Sequence, residues 1–290
     1  MEHIDFRDQI SKNKRNSIFL MIFVGIVIIL LGYVISLAFD PSYFFLIMII
    51  SIIFSVLYTW VNFYNSDKIA IKSVGAKPAD KIKYRDFYRL VESLTIASNL
   101  PMPRLYVMES SSINAFASGR DPKHAVVCVT NGALEKLERR ELEGVLAHEM
   151  GHIANYDIRF ITLVAVMVGM IAIISQIFLR SLWFRGGGDN KNSGIFIIIG
   201  ILLAVLAPIV VSLVQLSISR KREFTADATA VKFTRNPNGL IGALEKIKKE
   251  NTPEKKVSKA VAPLFFSNPF KGLSSTHPPL EKRIEVLKNL

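Results

Sequence analysis

The residues best suited to chemistry lie in the segment Leu146–His152, which contains the pattern H-E-x-x-H. Residues four apart share one face of a helix, so the imidazoles of His148 and His152 can bind one metal ion together. Glu149 adjoins the first histidine and can act as a general base that takes a proton from water. The motif therefore indicates a zinc hydrolase, provided that a third ligand lies elsewhere in the chain.

The third ligand has to come from outside the motif. One class of zinc peptidases carries a glycine and a histidine at fixed offsets beyond it, but Asn155 and Ile158 occupy those offsets here. Glu223 is the better choice, because it lies four residues from Asp227 on one predicted helix. One of the two can bind zinc while the other accepts a hydrogen bond from a ligand histidine. The other candidates are Asp157, which is more simply an interfacial or capping residue, and His277.

Four apolar segments each reach the roughly 20 residues that a membrane-crossing helix needs. The first is too long for a signal peptide, so we expect it to remain as a span. The third and fourth contain Gln176, Pro208 and Gln215, and could instead form a partly sunken hairpin that lines a cavity. A buried core helix is the alternative for each segment. The four segments cover residues 17–39, 42–64, 160–179 and 194–218.

The charges beside the first two segments set the expected orientation. No Lys or Arg lies between those segments. By the positive-inside bias, the N-terminus, the 65–159 region and the C-terminal region therefore face the cytoplasm. The loop between the third and fourth segments disagrees mildly, but early spans usually dominate orientation. The basic residues on the outer flanks are Lys12, Lys14, Arg15, Lys68 and Lys72.

The net charge of +12 fits a membrane protein. Basic residues beside spans meet anionic headgroups, and no nucleic-acid motif stands out, so we expect membrane lipid and no nucleic acid as a partner. The single cysteine, Cys128, has no internal disulfide partner. It lies in a β-like run and is expected to be a small core residue.

The remaining patterns complete the expected fold. An amphipathic helix is predicted between Asp80 and Leu100, followed by strands at 104–108, 113–118 and 125–130. The fold class is an α+β membrane protein, with four transmembrane helices and a mainly helical, cytoplasmic, zincin-like domain that has a small β-sheet. Residues 252–271, interrupted by Pro and Lys, are a candidate mobile lid. The expected parts are a tail (1–16), a transmembrane hairpin (17–64), the peptidase part with the motif (65–159), a second hairpin (160–218) and the part with the third ligand (219–290).

Several motifs together resemble the HtpX-type heat-shock membrane metallopeptidases, which are related more distantly to the CAAX prenyl proteases. Two apolar segments precede His148-Glu149-x-x-His152, two more follow it, and Glu223-x-x-x-Asp227 comes after them. The stretches Ser112–Ala117 and Thr276–Pro279, with Arg283 following, belong to the same pattern. The resemblance covers nearly the whole chain.

The resemblance implies a zinc endopeptidase with one Zn²⁺ per chain and a site that faces the cytoplasm. In bacteria this family serves the quality control of damaged or misfolded membrane proteins, so the implied partners are protein substrates. By position in the motif, Glu223 is the third zinc ligand and Asp227 is its outer partner.

The resemblance also assigns roles around the cleft. Asn114, followed by Ala115 and Phe116, edges the cleft, where a substrate can add as a β-strand. His277 helps to stabilise the oxyanion, and Arg283 supports it. Simpler roles stay open for each: a turn residue for Asn114, a capping or packing residue for His277 and a solvated helix charge for Arg283.

Two other functions also stay open. A CAAX-type prenyl-protein protease is one, although four spans and a short chain argue against the large enclosed chamber of that class. The other is a non-proteolytic scaffold or chaperone that zinc stabilises. Glu149 argues against it, because a purely structural site has no use for a general base and tends to be closed by four protein ligands.

Overall fold

The computed structural model of this 290-residue chain describes residues 6–36, 41–164, 220–250, 265–266 and 278–290. The fourth predicted span and His277 lie outside these ranges. The third predicted span is described only over 160–164, within a helical segment that covers 157–164. The candidate lid is described only at 265–266.

Two long apolar helices, α1 (Phe6–Ser36) and α2 (Phe44–Tyr64), pack against each other. Both are long and apolar enough to cross a membrane, α1 within Ile10–Leu30 and α2 over its whole length. Helix α1 begins at Phe6, so most of the predicted tail is helical and continuous with the first apolar segment. Large apolar side chains stay exposed along α2, and an apolar surrounding suits such a surface better than water. They include Phe45, Ile49, Phe54 and Trp60.

A small mixed sheet follows in the described part of the chain, with strand order β1-β2-β4-β3. β1 is antiparallel to β2, β2 is parallel to β4, and β3 is antiparallel to β4, which leaves β3 at one edge. The predicted strand at 104–108 matches β2 at both ends, and those at 113–118 and 125–130 match β3 and β4 except that β3 begins two residues later and β4 one residue later. The strands are β1 (Lys77–Pro78), β2 (Arg104–Met108), β3 (Ala115–Ser118) and β4 (Val126–Thr130).

Cys128 lies on β4 between Tyr106 of β2 and Phe116 of β3. Its side chain is fully buried, and that burial raises the pKa of the thiol. The expectation that Cys128 is a small core residue is confirmed.

The other helices pack around this sheet and around one another. Helix α4 buries Phe87, Leu90, Val91 and Leu94, so the predicted amphipathic helix is confirmed with shorter bounds. The helices are α3 (Ser66–Ser73), α4 (Arg85–Ser98), α5 (Asn131–Lys136), α6 (Arg139–Ala154), α7 (Arg220–Thr234), α8 (Asn238–Glu250) and α9 (Leu280–Lys288).

Helix α6 carries the H-E-x-x-H motif and lies at the centre of the packing. A capping box starts it, in which Glu138 and Glu141 each accept a hydrogen bond from the other's backbone N–H. Buried residues then run without interruption from Gly144 to Ile153. Helices α4, α7 and α8 and strand β3 all contact α6. The motif is therefore held on a rigid, fully surrounded element.

Helices α6 and α8 cross at van der Waals distance because Gly144 has no side chain. A Cβ atom at Gly144 would lie 2.5 Å from the backbone nitrogen of Leu240 and 2.8 Å from its Cα. Both neighbours are backbone atoms, so neither can swing aside. The close crossing therefore depends on glycine at this position.

We expect Gly144→Ala to destabilise the protein by about 1–3 kcal/mol, because the two helices must move apart. Chemical unfolding in detergent measures this loss, with Arg140→Ala, an exposed truncation on the same helix, as the control. Equal stability of the two variants would show that the crossing is loose.

Candidate metal centre

The two motif histidines face each other from successive turns of α6. The Nε2 atoms of His148 and His152 lie 3.1 Å apart, and both rings are buried. Two nitrogen ligands of tetrahedral zinc, each at about 2.0–2.1 Å from the metal, would be separated by about 3.3 Å. The spacing of the two rings is therefore that of two ligands to one ion.

Each of these rings is tied at its other nitrogen to a carboxylate. His148 Nδ1 donates to Asp227 Oδ1 (2.8 Å), and His152 Nδ1 donates to Asp157 Oδ2 (3.0 Å). A neutral ring with its proton on Nδ1 has a lone pair on Nε2. When both rings are neutral, the two lone pairs face one short gap, in which a single cation can bind both nitrogens.

Helix α7 brings Glu223 to the same point. Its carboxylate oxygens lie 3.7 Å from Nε2 of His148 and 3.6 Å from Nε2 of His152. Helix α7 approaches closely because α6 has a glycine at the contact: a Cβ atom at Gly151 would lie 3.2 Å from the Ala226 carbonyl oxygen. Ligand atoms of the two histidines and Glu223 all lie within 4.8 Å of one another. This donor set of two nitrogens and one oxygen suits Zn²⁺ with one open position.

Arg283 of helix α9 holds Asp227 in place. Its Nη2 donates to Oδ1 of Asp227 (2.6 Å) and its Nε donates to Oδ2 (2.9 Å), and both side chains are fully buried. Burial by itself raises the pKa of Asp227, but Arg283 and His148 outweigh that effect and lower it. The interpretation of Arg283 as a solvated helix charge is wrong, because its side chain on the nine-residue helix α9 is fully buried at the centre.

Glu149 lies beside the ligand atoms without sharing their hydrogen bonds. Its side chain is buried, and its Oε1 has no hydrogen-bond partner among the described residues. Burial raises the pKa of Glu149 to about 7, while His152 and a backbone hydrogen bond from Ala117 on β3 oppose the rise. A carboxyl group with a pKa near neutrality is suited to take a proton and give it back.

The charges around the ligand atoms favour a cation there. Burial lowers the pKa of His152, but the hydrogen bond to Asp157 and the carboxylates of Glu223 and Glu149 outweigh burial and raise that pKa to about 9. Burial lowers the pKa of His148 to about 4, which keeps this ring neutral and able to bind a metal at neutral pH. The pocket thus offers one neutral nitrogen donor, His148, and a second, His152, whose proton a bound cation has to replace, within an anionic surrounding.

Asp157 has a role that the sequence interpretation did not give it. It was expected to be an interfacial or capping residue, but its side chain is completely buried and accepts the hydrogen bond of His152. Its position five residues beyond His152 was the available signal, since the tight turn after α6 folds it back onto the ring.

The predicted substrate edge is strand β3 and the residue before it. Asn114, Ala115 and Phe116 are all buried, and the Asn114 backbone N–H donates to Thr130 Oγ1 (3.0 Å). The outer edge of β3 pairs with another part of the chain. Phe265 forms an antiparallel bridge with Phe116, and the Phe266 backbone N–H donates to the Ala115 carbonyl (2.8 Å).

Phe266 also closes the centre from one side. Its ring meets the His148 ring edge to face at 4.9 Å, and the Arg283 guanidinium lies 4.8 Å from its centroid. No sequence motif surrounds this phenylalanine, so its contact with a motif histidine could not be read from spacing. The predicted oxyanion residue, His277, lies outside the described residues.

Comparison with known proteins identifies the family. A family model described as "Peptidase family M48" matches residues 81–290. The chain belongs to peptidase family M48. A protein named "Protease HtpX homolog" from Caldanaerobacter subterraneus subsp. tengcongensis is 48% identical over 247 residues, which cover 82% of this chain and 83% of that protein. A protein of the same name from Dictyoglomus thermophilum is 41% identical over 295 residues, with 99% and 96% covered.

A solved structure shares the fold. The crystal structure of S. mikatae Ste24p aligns with a TM-score of 0.52 and 20% sequence identity. The alignment covers 97% of this chain and 66% of that chain, so this M48 chain spans about two thirds of the Ste24p structure.

These matches confirm the resemblance to the HtpX-type peptidases and the prediction of a membrane metallopeptidase. The family is zinc-dependent in general and acts on proteins, and neither the scaffold nor the prenyl-protein protease is favoured. The donor set and the unpaired Glu149 Oε1 on the motif helix fit a zinc ion in this chain.

We expect Asp227→Asn to destabilise the protein by about 3 kcal/mol even without metal, because the buried Arg283 charge loses its hydrogen-bonded counter-charge and keeps only Glu223, 3.5 Å from its Nη1. Unfolding with a chelator present measures the loss. Asp121→Asn, which alters a partly exposed ion pair with His124, is the matched control and is expected to cost less than about 1 kcal/mol. Similar values for the two variants would contradict the structural role of the Asp227–Arg283 pair.

Proposed function

We propose that this M48 chain is a zinc endopeptidase in which His148, His152 and Glu223 hold one Zn²⁺ ion. The observation that carries the proposal is the pair of Nε2 atoms 3.1 Å apart, each on a ring whose Nδ1 is bound to a carboxylate. Such an arrangement fixes both rings with their lone pairs directed at one point. Glu223 supplies the third ligand atom from α7.

Zinc in such a site supplies Lewis acidity, which favours the attack of water on a peptide carbonyl. The chain's own residues carry the proton. Glu149 takes it from the attacking water and passes it to the leaving amine, and burial keeps this carboxyl group close to the pKa that the transfer requires. Asp227 and Asp157 hold the ligand histidines in one tautomer throughout. His277 is proposed as the oxyanion donor on the family resemblance alone.

We propose that the substrate is an extended, unfolded segment that adds to the edge of β3 at Asn114, Ala115 and Phe116. Strand addition requires free backbone N–H and C=O groups on the substrate, which a folded domain does not offer. The Glu149 carboxyl group already contacts the backbone of β3 through Ala117, so a strand paired there runs past the general base. This selectivity suits the removal of misfolded or damaged proteins.

The proposed setting is a membrane whose cytoplasmic side holds the centre. The apolar exposed surface of α2 and the basic flanks of the first hairpin support this placement, with membrane lipid as a partner and no nucleic acid. Two further spans, at 160–179 and 194–218, would return the chain to the same side between α6 and α7. The natural substrates in this scheme are cytoplasmic segments of membrane proteins.

We expect Glu149→Gln to lower kcat on casein by about 10²–10⁴-fold, because the general base is lost while the ligands remain. The detergent-purified variant is compared with wild type for cleavage and for zinc content by elemental analysis. His152→Ala is the control that loses both zinc and activity. Normal cleavage by a zinc-loaded Glu149→Gln variant would remove Glu149 from the mechanism, and zinc-loaded wild type that cleaves nothing would favour the scaffold.

If the substrate adds to β3, it has to displace Phe265 and Phe266. We therefore expect Phe265→Ala to lower KM for an unfolded substrate roughly threefold, because a larger fraction of molecules has an open edge. The Phe116–Phe265 ring contact at 5.2 Å is what this change removes.

Ile71→Ala, in the same apolar cluster but on α3, is the matched control and is expected to leave KM unchanged. An unchanged or higher KM for Phe265→Ala alone would show that substrate approaches by another route.

A further inference from the structure

The turn that follows the motif helix has an unusual backbone. Helix α6 ends at Ala154, and a new helical segment begins at residue 157. Between them Tyr156 has a φ of 59°, in the left-handed region that a residue with a side chain seldom adopts. Such a conformation persists when surrounding contacts hold it. The turn also sets the position of Asp157, and through Asp157 that of the His152 ring.

Helix α1 supplies those contacts. The side-chain amide of Asn13 donates to the Asn155 carbonyl (2.9 Å) and to Asp157 Oδ1 (2.7 Å), and Asn13 is buried. The Lys14 ammonium lies 4.2 Å from the centroid of the Tyr156 ring. Two neighbouring residues of α1 thus contact all three residues of the turn.

The two oxygens of Asp157 have separate partners. Oδ1 accepts from Asn13 on α1, and Oδ2 accepts from Nδ1 of His152. A carboxylate held at both oxygens cannot rotate about its terminal bond. The Asn13 amide gives the buried Oδ1 a hydrogen-bond donor, and removing a donor from a buried oxygen costs free energy.

The other motif histidine is supported in the same way. His148 donates to Asp227, and Asp227 is held at both oxygens by Arg283. Asn13 therefore supports the carboxylate of Asp157 with a hydrogen bond, as Arg283 supports the carboxylate of Asp227. One support comes from the last described helix and the other from the first membrane helix.

We propose that Asn13 is a positioning residue of the metal centre, acting through Asp157 on the orientation and tautomer of His152. The inference rests on the proposed role of His152 as a zinc ligand. It means that the centre is complete only when α1 is packed against the turn after α6. Leu20 on α1 lies in one buried apolar cluster with Phe160, Leu163 and Val164, which extends the same interface.

The test measures zinc affinity rather than activity, on the full chain in detergent, by competition with a chromophoric chelator. We expect Asn13→Ala to raise the zinc Kd roughly 3- to 10-fold, less than the 10- to 100-fold typical of a direct partner of a ligand. Ser55→Ala is the matched control. It removes a hydrogen bond from Ser55 to the Gly25 carbonyl (3.1 Å) between α1 and α2, far from the turn, and should leave Kd unchanged.

A double-mutant cycle separates positioning from general destabilisation. In an Asp157→Ala background, Asn13→Ala should have no further effect on Kd, because the residue through which it acts is gone. An equal effect in both backgrounds, or no effect in either, overturns the proposal.

A second variant guards against poor folding of Asn13→Ala. Asn13→Asp keeps the shape but sets a carboxylate against Asp157, and should weaken zinc binding at least as much as Asn13→Ala; unchanged affinity of Asn13→Asp overturns the proposal. Wild type that binds no zinc, or binds it equally after His152→Ala, would instead defeat the proposed function.

Discussion

The paired contact between Arg283 and Asp227 is the interaction on which the rest of the centre depends. Both groups are fully buried and joined by two charge-assisted hydrogen bonds. Through them α9 is fixed to α7, and through the Asp227–His148 bond both are fixed to α6. Burying Arg283 or Asp227 without the other costs free energy. The helices α9, α7 and α6 are therefore stable only when they are packed together. The catalytic geometry follows from satisfying these charges.

The same packing explains why the centre lies on helices and not on loops. Glycines at positions 144 and 151 of α6 let α8 and α7 approach to backbone contact. Glu223 reaches the histidines because of that approach, and β3 supplies a backbone group to Glu149 from the other side. The protein thus positions each group with an element whose own place is set by many apolar contacts.

Sequence reasoning reached the parts of the centre that local spacing controls. The four-residue repeat put His148 and His152 on one helical face, and a second repeat singled out Glu223 with Asp227. It could not predict the contact of the Phe266 ring with the His148 ring, or the burial of Arg283, because both depend on how distant segments pack. The strands of the sheet and α4 were predictable from alternation and helical periodicity. The spacing of Asp157 from His152 made a contact possible, but the turn that brings the two together depends on the left-handed backbone of Tyr156, which spacing does not predict.

The distribution of these supports along the chain has a consequence for biosynthesis. Asn13 leaves the ribosome early, and Arg283 is translated long after the motif helix. Until α9 has been made, Asp227, which orients the His148 ring, lacks its cation. The geometry of the metal centre is therefore completed only after the motif helix, α7 and α9 have all been synthesised.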